Sequence, residues 1–365
     1  MKPVALLVPL ALSIVWGFGN PNRAIHAGEA PAGERPEASL YKVLAPIRQG
    51  NLTVFPVVAA HTHDTSEFLT LDEGLASGEV QVREYGQLEG LRRGPHPQQV
   101  RGQAQVNTLV LINNSKRPLI LLAGEIVTGG KQDRVIGKDR LIPAESDPVD
   151  LGVFCVEPGR WTATNAGFGS MKSAMAAPNV RAKAMGDKNQ QKVWDEVRSA
   201  GAGIGAMLSQ PAAEAVAGTS SYARVMQNAE VQQKLDSIAA PIEHNYSSLI
   251  RELRDRHAVG VVVAVNGELV WADIFASTNL LEKYWPKLIR SYAAQAMVSH
   301  GGDKDATSRA AQAFLDNMEG TRESVEREPG LYRHTEISGS GFKVFELTAL
   351  LPKTDFDLHV AKMAE

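Results

Sequence analysis

Between Gly124 and Arg134 the chain reads GEIVTGGKQDR, and Cys155 to Trp161 reads CVEPGRW. Glycines at 124, 129 and 130 let backbone approach a bound group closely. Lys131 and Arg134 are suited to hold phosphate or carboxylate through charge-assisted hydrogen bonds. Gln132 adds a neutral donor and acceptor, Glu125 is the weak candidate for a general base, and Trp161 offers a stacking face. Glu157 and Arg160 bracket a Pro-Gly turn and can pair with each other or with the KQDR segment. Two readings stay open, a pocket for a small anionic ligand and a solvated hairpin whose charges pair locally. A phosphate-binding loop is excluded, because no GK[ST] follows the glycines and no helix begins there. Cys155 has apolar neighbours and no flanking cation, so it reads as a core residue rather than a nucleophile.

Other chemistry is thinner. In AHTHDTSEF, His61 and His63 would project to the same side of a strand, and Asp64 or Glu67 could complete a metal site. No second His or Cys cluster has ligand spacing, so exposed loop histidines are the simpler reading, and no metal or organic cofactor is expected. Gly201, Gly203 and Gly205 follow a helix rather than a strand, which removes the dinucleotide-fold reading. No GxSxG is present. RELRDRH, Arg251 to His257, interleaves acids with its bases and reads as a solvated helix face.

The elements that position these residues are of two textures. From Leu40 to Trp161, short apolar runs alternate with Gly, Asn, Pro and Asp, a strand signature. NNSKRP between two such runs predicts a hairpin with Asn113 and Asn114 in its turn. After Trp161 come helical patterns over NQQKVWDEVRSA and the stretch from Ser220 to His257, with a Gly-rich loop and a short helix between them. Ile242, Tyr246, Leu249, Ile250 and Leu253 share a face. Asn266 and Gly267 predict a tight hairpin, Asn279 with Glu282 predicts a helix cap, and two closing strands follow near LYRHTEIS and FKVFELTALL. The fold class is α+β: an N-terminal antiparallel β-sandwich or distorted barrel, then a helical region and a small antiparallel sheet with packed helices. The ranges are 40–165 for the β-rich part, 166–257 for the helical part and 258–365 for the last.

The 365 residues carry 38 basic and 41 acidic side chains, a formal charge of -3, which gives no field favouring nucleic acid as a partner. Lys2 precedes an apolar run shorter than the roughly 20 residues a spanning helix needs, and polar residues then lead to Ala27. Residues 1–27 read as a signal peptide and 28–39 as a flexible linker. A periplasmic or secreted protein follows, with an uncleaved N-terminal anchor as the alternative and no other membrane contact expected. The lone Cys155 allows no intrachain disulfide.

FLTLDEGLASGEV, LLAGEIVTGGKQDRV, LIPAESDPVDLGVFCVEPGRW and ADIFASTNLLEKYWPKLIRSYA occur in this order and together resemble the ADP-ribosylglycohydrolase- and rhodanese-phosphatase-associated domain family. The matching positions are Gly124, Glu125, Gly130, Lys131, Gln132, Arg134, Cys155, Glu157, Gly159, Arg160 and Trp161. Asp133 stands where an Asn-like residue is expected, adding a negative charge. The resemblance implies a mainly bacterial group with no established reaction, working near ADP-ribose-related or other phosphorylated ligands. The expected function is binding of a small anionic, nucleotide-like ligand through Glu125, Lys131, Gln132, Arg134, Glu157, Arg160 and Trp161. The alternative is an envelope protein that uses the GGKQDR loop for docking a protein partner or for structure.

Overall fold

The computed structural model describes residues 41–84, 107–162, 167–253, 256–299, 301, 304–328 and 330–365. Residues 1–39, over which a signal peptide and a linker are expected, lie outside them. Along the chain come β1 (Tyr41–Val43), β2 (Ile47–Gln49), β3 (Leu52–Ala59), β4 (Leu69–Thr70) and helix α1 (Leu71–Ser77). Next are β5 (Val80–Glu84), β6 (Thr108–Asn113), β7 (Leu119–Leu121), β8 (Glu125–Gly129), β9 (Arg134–Ile136), β10 (Arg140–Ile142), β11 (Val149–Cys155) and β12 (Phe168–Met175). Helices α2 (Pro178–Met185), α3 (Gln190–Gly205), α4 (Gln210–Ala217), α5 (Tyr222–Gln227) and α6 (Ala229–Glu252) follow. The last third holds β13 (His257–Val265), β14 (Glu268–Phe275), α7 (Thr278–Val298), α8 (Ser308–Asp316), β15 (Thr321–Glu328), β16 (Tyr332–Gly339), β17 (Phe342–Ala349) and β18 (Phe356–Ala364).

The architecture is α+β. One antiparallel sheet runs β12-β8-β9-β11-β6-β5, and a bridge from Arg83 to Gly167 brings its two ends together into a nearly closed barrel. β10-β7-β4 form a small sheet beside it. The third sheet has nine strands in the order β1-β3-β13-β14-β18-β17-β16-β15, with β2 also on β3. Every residue of β3 is buried, which its unbroken apolar run requires. Pro56 sits in the gap between the segment paired to β2 and the segment paired to β1, so its missing N–H interrupts neither pairing. The main core fills the space between α2, α3, α6, α7 and the sheets. No helix among the described residues is long and apolar enough to cross a membrane.

The Asn266-Gly267 hairpin is as expected, with φ of 54° and 77° at the two turn residues. Four other expectations are corrected. NNSKRP does not close a hairpin: β6 pairs with β5 and β11, and β7 with β4 and β10. Asn113 is the reason. Its Oδ1 accepts from Ser115 N and Oγ while its Nδ2 donates to the carbonyls of Arg117 and Pro143, turning the chain into the neighbouring sheet. The glycines after NQQKVWDEVRSA lie inside α3, not in a loop, and Gly203 lets Val298 of α7 approach to within 3.4 Å of where its Cβ would be. Ser277, not Asn279, caps α7, its hydroxyl accepting from Leu280 N at 3.0 Å. The closing strands belong to the nine-stranded sheet, whose β3 is drawn from the first sixty residues, so the C-terminal hairpin is one part of a much larger sheet.

Candidate functional site

GGKQDR is the connection from β8 to β9. Gly129 and Gly130 have φ of 127° and 49°, and a Cβ on Gly130 would lie 2.2 Å from the Phe168 ring, so only glycine fits. Glu84 Oε1 accepts from Lys131 N at 2.6 Å. The EPGRW turn faces this loop and locks onto it. Glu157 Oε2 accepts from Asp133 N at 3.0 Å, and the Glu157 carbonyl accepts from Gln132 Nε2 at 3.1 Å. Arg160 donates to Glu157 at 2.5 Å, to the Gly130 carbonyl at 3.0 Å and to the Thr162 carbonyl at 2.8 Å, and it lies 3.5 Å from Asp133. Asp133 also accepts from Gly129 N and from Ser221 Oγ, the N-cap hydroxyl of α5.

Gln132, Asp133, Arg134 and Glu157 are therefore buried inside the joint between the two turns. Burial pushes the Asp133 carboxyl up, reinforced by the Glu157 charge and opposed by Ser221, Gly129 and Arg160. The hydrogen bond to Glu157 holds the Arg160 guanidinium above its ordinary value. Burial pushes the Cys155 thiol up, consistent with a core residue on β11 beside Arg134 and not with a nucleophile. Trp161 is different: it is 44% exposed. The Lys131 ammonium stands 4.9 Å from its ring centroid, and the buried Arg134 guanidinium 6.0 Å from it.

Glu125 does not join this group. It starts β8, and the turn lies past the other end of that strand, about 13 Å away at strand rise. There it is buried, with Oε1 2.5 Å from Lys287 Nζ and Oε2 accepting from Leu122 N at 2.8 Å. Lys287 also reaches Asp72 at 2.9 Å. Burial raises the Glu125 pKa, helped by the Asp72 charge and opposed by Lys287. Burial disfavours the Lys287 ammonium, but Glu125 and Asp72 outweigh it and its pKa is raised. This ion pair leaves no free carboxylate for a general base.

The histidine candidates also separate. His61 and Asp64 are exposed, Asp64 accepting from Ser66 N, while the His63 ring stacks on Phe356 at 4.0 Å. Among the described residues, no group of three His, Cys, Asp or Glu side chains is placed to hold a metal.

Sequence reasoning missed a polar cluster that is fully buried. His359 on β18 bridges two carboxylates, with Nδ1 2.6 Å from Asp139 and Nε2 3.1 Å from Asp273. Asp273 on β14 also receives Arg181 of α2 and the Tyr292 hydroxyl of α7. Asp139, Arg181, Asp273 and His359 have no solvent exposure, so they can clamp elements but not touch a substrate. Burial opposes ionisation of both carboxyls, yet the opposed cations hold Asp139 and Asp273 below the usual carboxylate value. The available signals were WADIF and DLHVA, each a charged residue inside an apolar strand.

Searches of curated proteins and of solved structures return no match. The model of the ARG and Rhodanese-Phosphatase-superfamily-associated Protein domain matches residues 40–361, which covers both facing turns, the buried clamp and nearly all of the nine-stranded sheet. The chain belongs to that family.

Proposed function

We propose that the protein is exported and binds a small anionic ligand carrying a planar ring, of the ADP-ribose-related class that the family resemblance implies, at the edge formed by Trp161 and Lys131. One observation carries the reading: Trp161 stands exposed on a doubly braced turn, with an ammonium 4.9 Å from its ring. The ring supplies a stacking face and Lys131 the counter-charge. Arg160, Glu157, Gln132 and Asp133 position the turn, and Arg134 braces it from below. Export rests on the layout of residues 1–27. Calorimetry with ADP-ribose, with wild type against Trp161→Ala and Lys131→Ala, tests the reading. Binding that weakens at least about tenfold in both variants supports it. No binding by wild type, or full affinity in both variants, rules it out.

A second reading, docking of a protein partner at the same edge, is favoured by charge balance. Glu84, Asp133 and Glu157 stand against Lys131, Arg134 and Arg160, so the edge has no net charge to attract an anion. Capture of one defined envelope protein by wild type and not by Trp161→Ala, with no heat from ADP-ribose, distinguishes this reading from the first.

A further inference from the structure

We propose that the groove between α6 and α7 is a binding site for a small organic cation of amino-acid size, an amine or guanidine with a hydrogen-bond acceptor near its charge. This site is separate from the Trp161 edge. A cavity of about 270 Å³ opens there, below the size of typical drug pockets and suited to a small metabolite. α6 lines it with Glu243, Ser247 and Ile250, spaced along one helix face, and α7 with Glu282 and Trp285.

Four features give the cavity its selectivity. Neither Glu243 nor Glu282 has an ion-pair partner among the described residues. The basic residues nearby on α7 are engaged elsewhere, Lys283 with Glu73, Lys287 with Glu125 and Asp72, and Arg290 with Asp236. The second feature is Pro286, which also lines the cavity. It lies inside α7 and has no N–H to close the helical bond to the Glu282 carbonyl. In α6, Pro241 frees the Ser237 carbonyl in the same way, but that one accepts from Gln49 Nε2 at 3.4 Å. The Glu282 carbonyl has no side-chain donor among the described residues.

Third, Trp285 is only 4% exposed and stacks on Tyr246 at 4.4 Å, yet its indole N–H meets no acceptor among the described residues. That nitrogen is closed off from the groove, so what Trp285 gives the lining is an apolar wall held in place by Tyr246. Fourth, Arg251 at the rim donates to Ser248 Oγ at 3.1 Å, so the lining holds two carboxylates against one guanidinium and a net charge of minus one. Two carboxylates and a freed carbonyl suit an ammonium or guanidinium. The exposed Arg251 guanidinium suits an acceptor beside it. A basic amino acid has both groups.

The test is calorimetry on the full chain with arginine as the probe and glutamate as the control. Wild type should bind arginine and not glutamate. Affinity should fall at least about tenfold in the Glu243→Gln, Glu282→Gln double variant. Pro286→Ala should also weaken binding while raising the melting temperature, because the carbonyl regains its helical donor. All three positions line a surface groove, and unchanged circular dichroism controls for folding. No arginine binding, equal binding of glutamate, or full arginine affinity in the double variant or in Pro286→Ala overturns the assignment.

Discussion

Arg181 holds Asp273 through two hydrogen bonds of 2.9 Å, and neither side chain reaches solvent. The pair joins α2 to β14, and its guanidinium also lies 4.4 Å from the Trp271 ring. Removing one partner of such a pair leaves the other charge buried and uncompensated. Arg181→Met should therefore lower stability by about 3–5 kcal/mol in urea melts. A loss below about 1 kcal/mol would mean that water or a side-chain shift relieves Asp273.

His359 should make stability fall at alkaline pH. Burial lowers its pKa, but Asp139 and Asp273 overcome this and raise it from 6.5 to about 9. A group whose pKa is raised by folding contributes fully below its unfolded value and loses that contribution as pH rises through the folded one. Denaturant melts from about pH 6 to 9 should lose roughly 3 kcal/mol. His359→Gln should be less stable at the acid end and flat across the window. A variant that keeps the wild-type slope would trace it to other groups.

Gly124→Ala should destabilise the protein by about 1–3 kcal/mol. The residue has φ of 96°, and an added Cβ would lie 2.7 Å from the Arg181 side chain. A lowered melting temperature checks this, and an unchanged one would mean that Arg181 gives way freely.

Trp161→Ala should leave stability within about 0.5 kcal/mol of wild type, because the ring is exposed and closes no core contact. Paired with lost ligand or partner binding, that outcome isolates recognition from folding. A large stability loss would instead identify Trp161 as a packing residue.

Arg160→Met should cost about 2 kcal/mol, since one guanidinium serves Glu157, Asp133 and the carbonyls of Gly130 and Thr162. Arg160→Lys should recover little of it, because an ammonium cannot span the same fork. The released turn should also expose Trp161 further to acrylamide quenching. Full recovery by lysine would show that charge alone, without the fork, holds the turns together.

What could be read from the sequence was local. The Asn266-Gly267 hairpin follows from two residues that accept positive φ, and the burial of Cys155 from its apolar neighbours. GGKQDR and EPGRW do meet, as two turns at the ends of adjacent barrel strands. Glu125 was grouped with Lys131 because they are close in sequence, but the length of β8 separates them, with Glu125 at one end of the strand and the turn past the other. Asp273 and His359 form their bond across different strands, so no local pattern connects them. Asn113 misled for the opposite reason: its turn chemistry is genuine, but its side chain sends the chain to another sheet.

The pairing of β3 with β13 sets Leu52 opposite Val265, so the large sheet cannot begin to assemble across that seam until most of the polypeptide has been made. Pairings this distant in sequence give high contact order and slow folding. During synthesis, β3 emerges as eight consecutive residues that end fully buried, with their β13 partner not yet translated. Until then β1 and β2 can cover only one edge of it, and the edge that receives β13 stays open, prone to wrong association and a target for holdase chaperones.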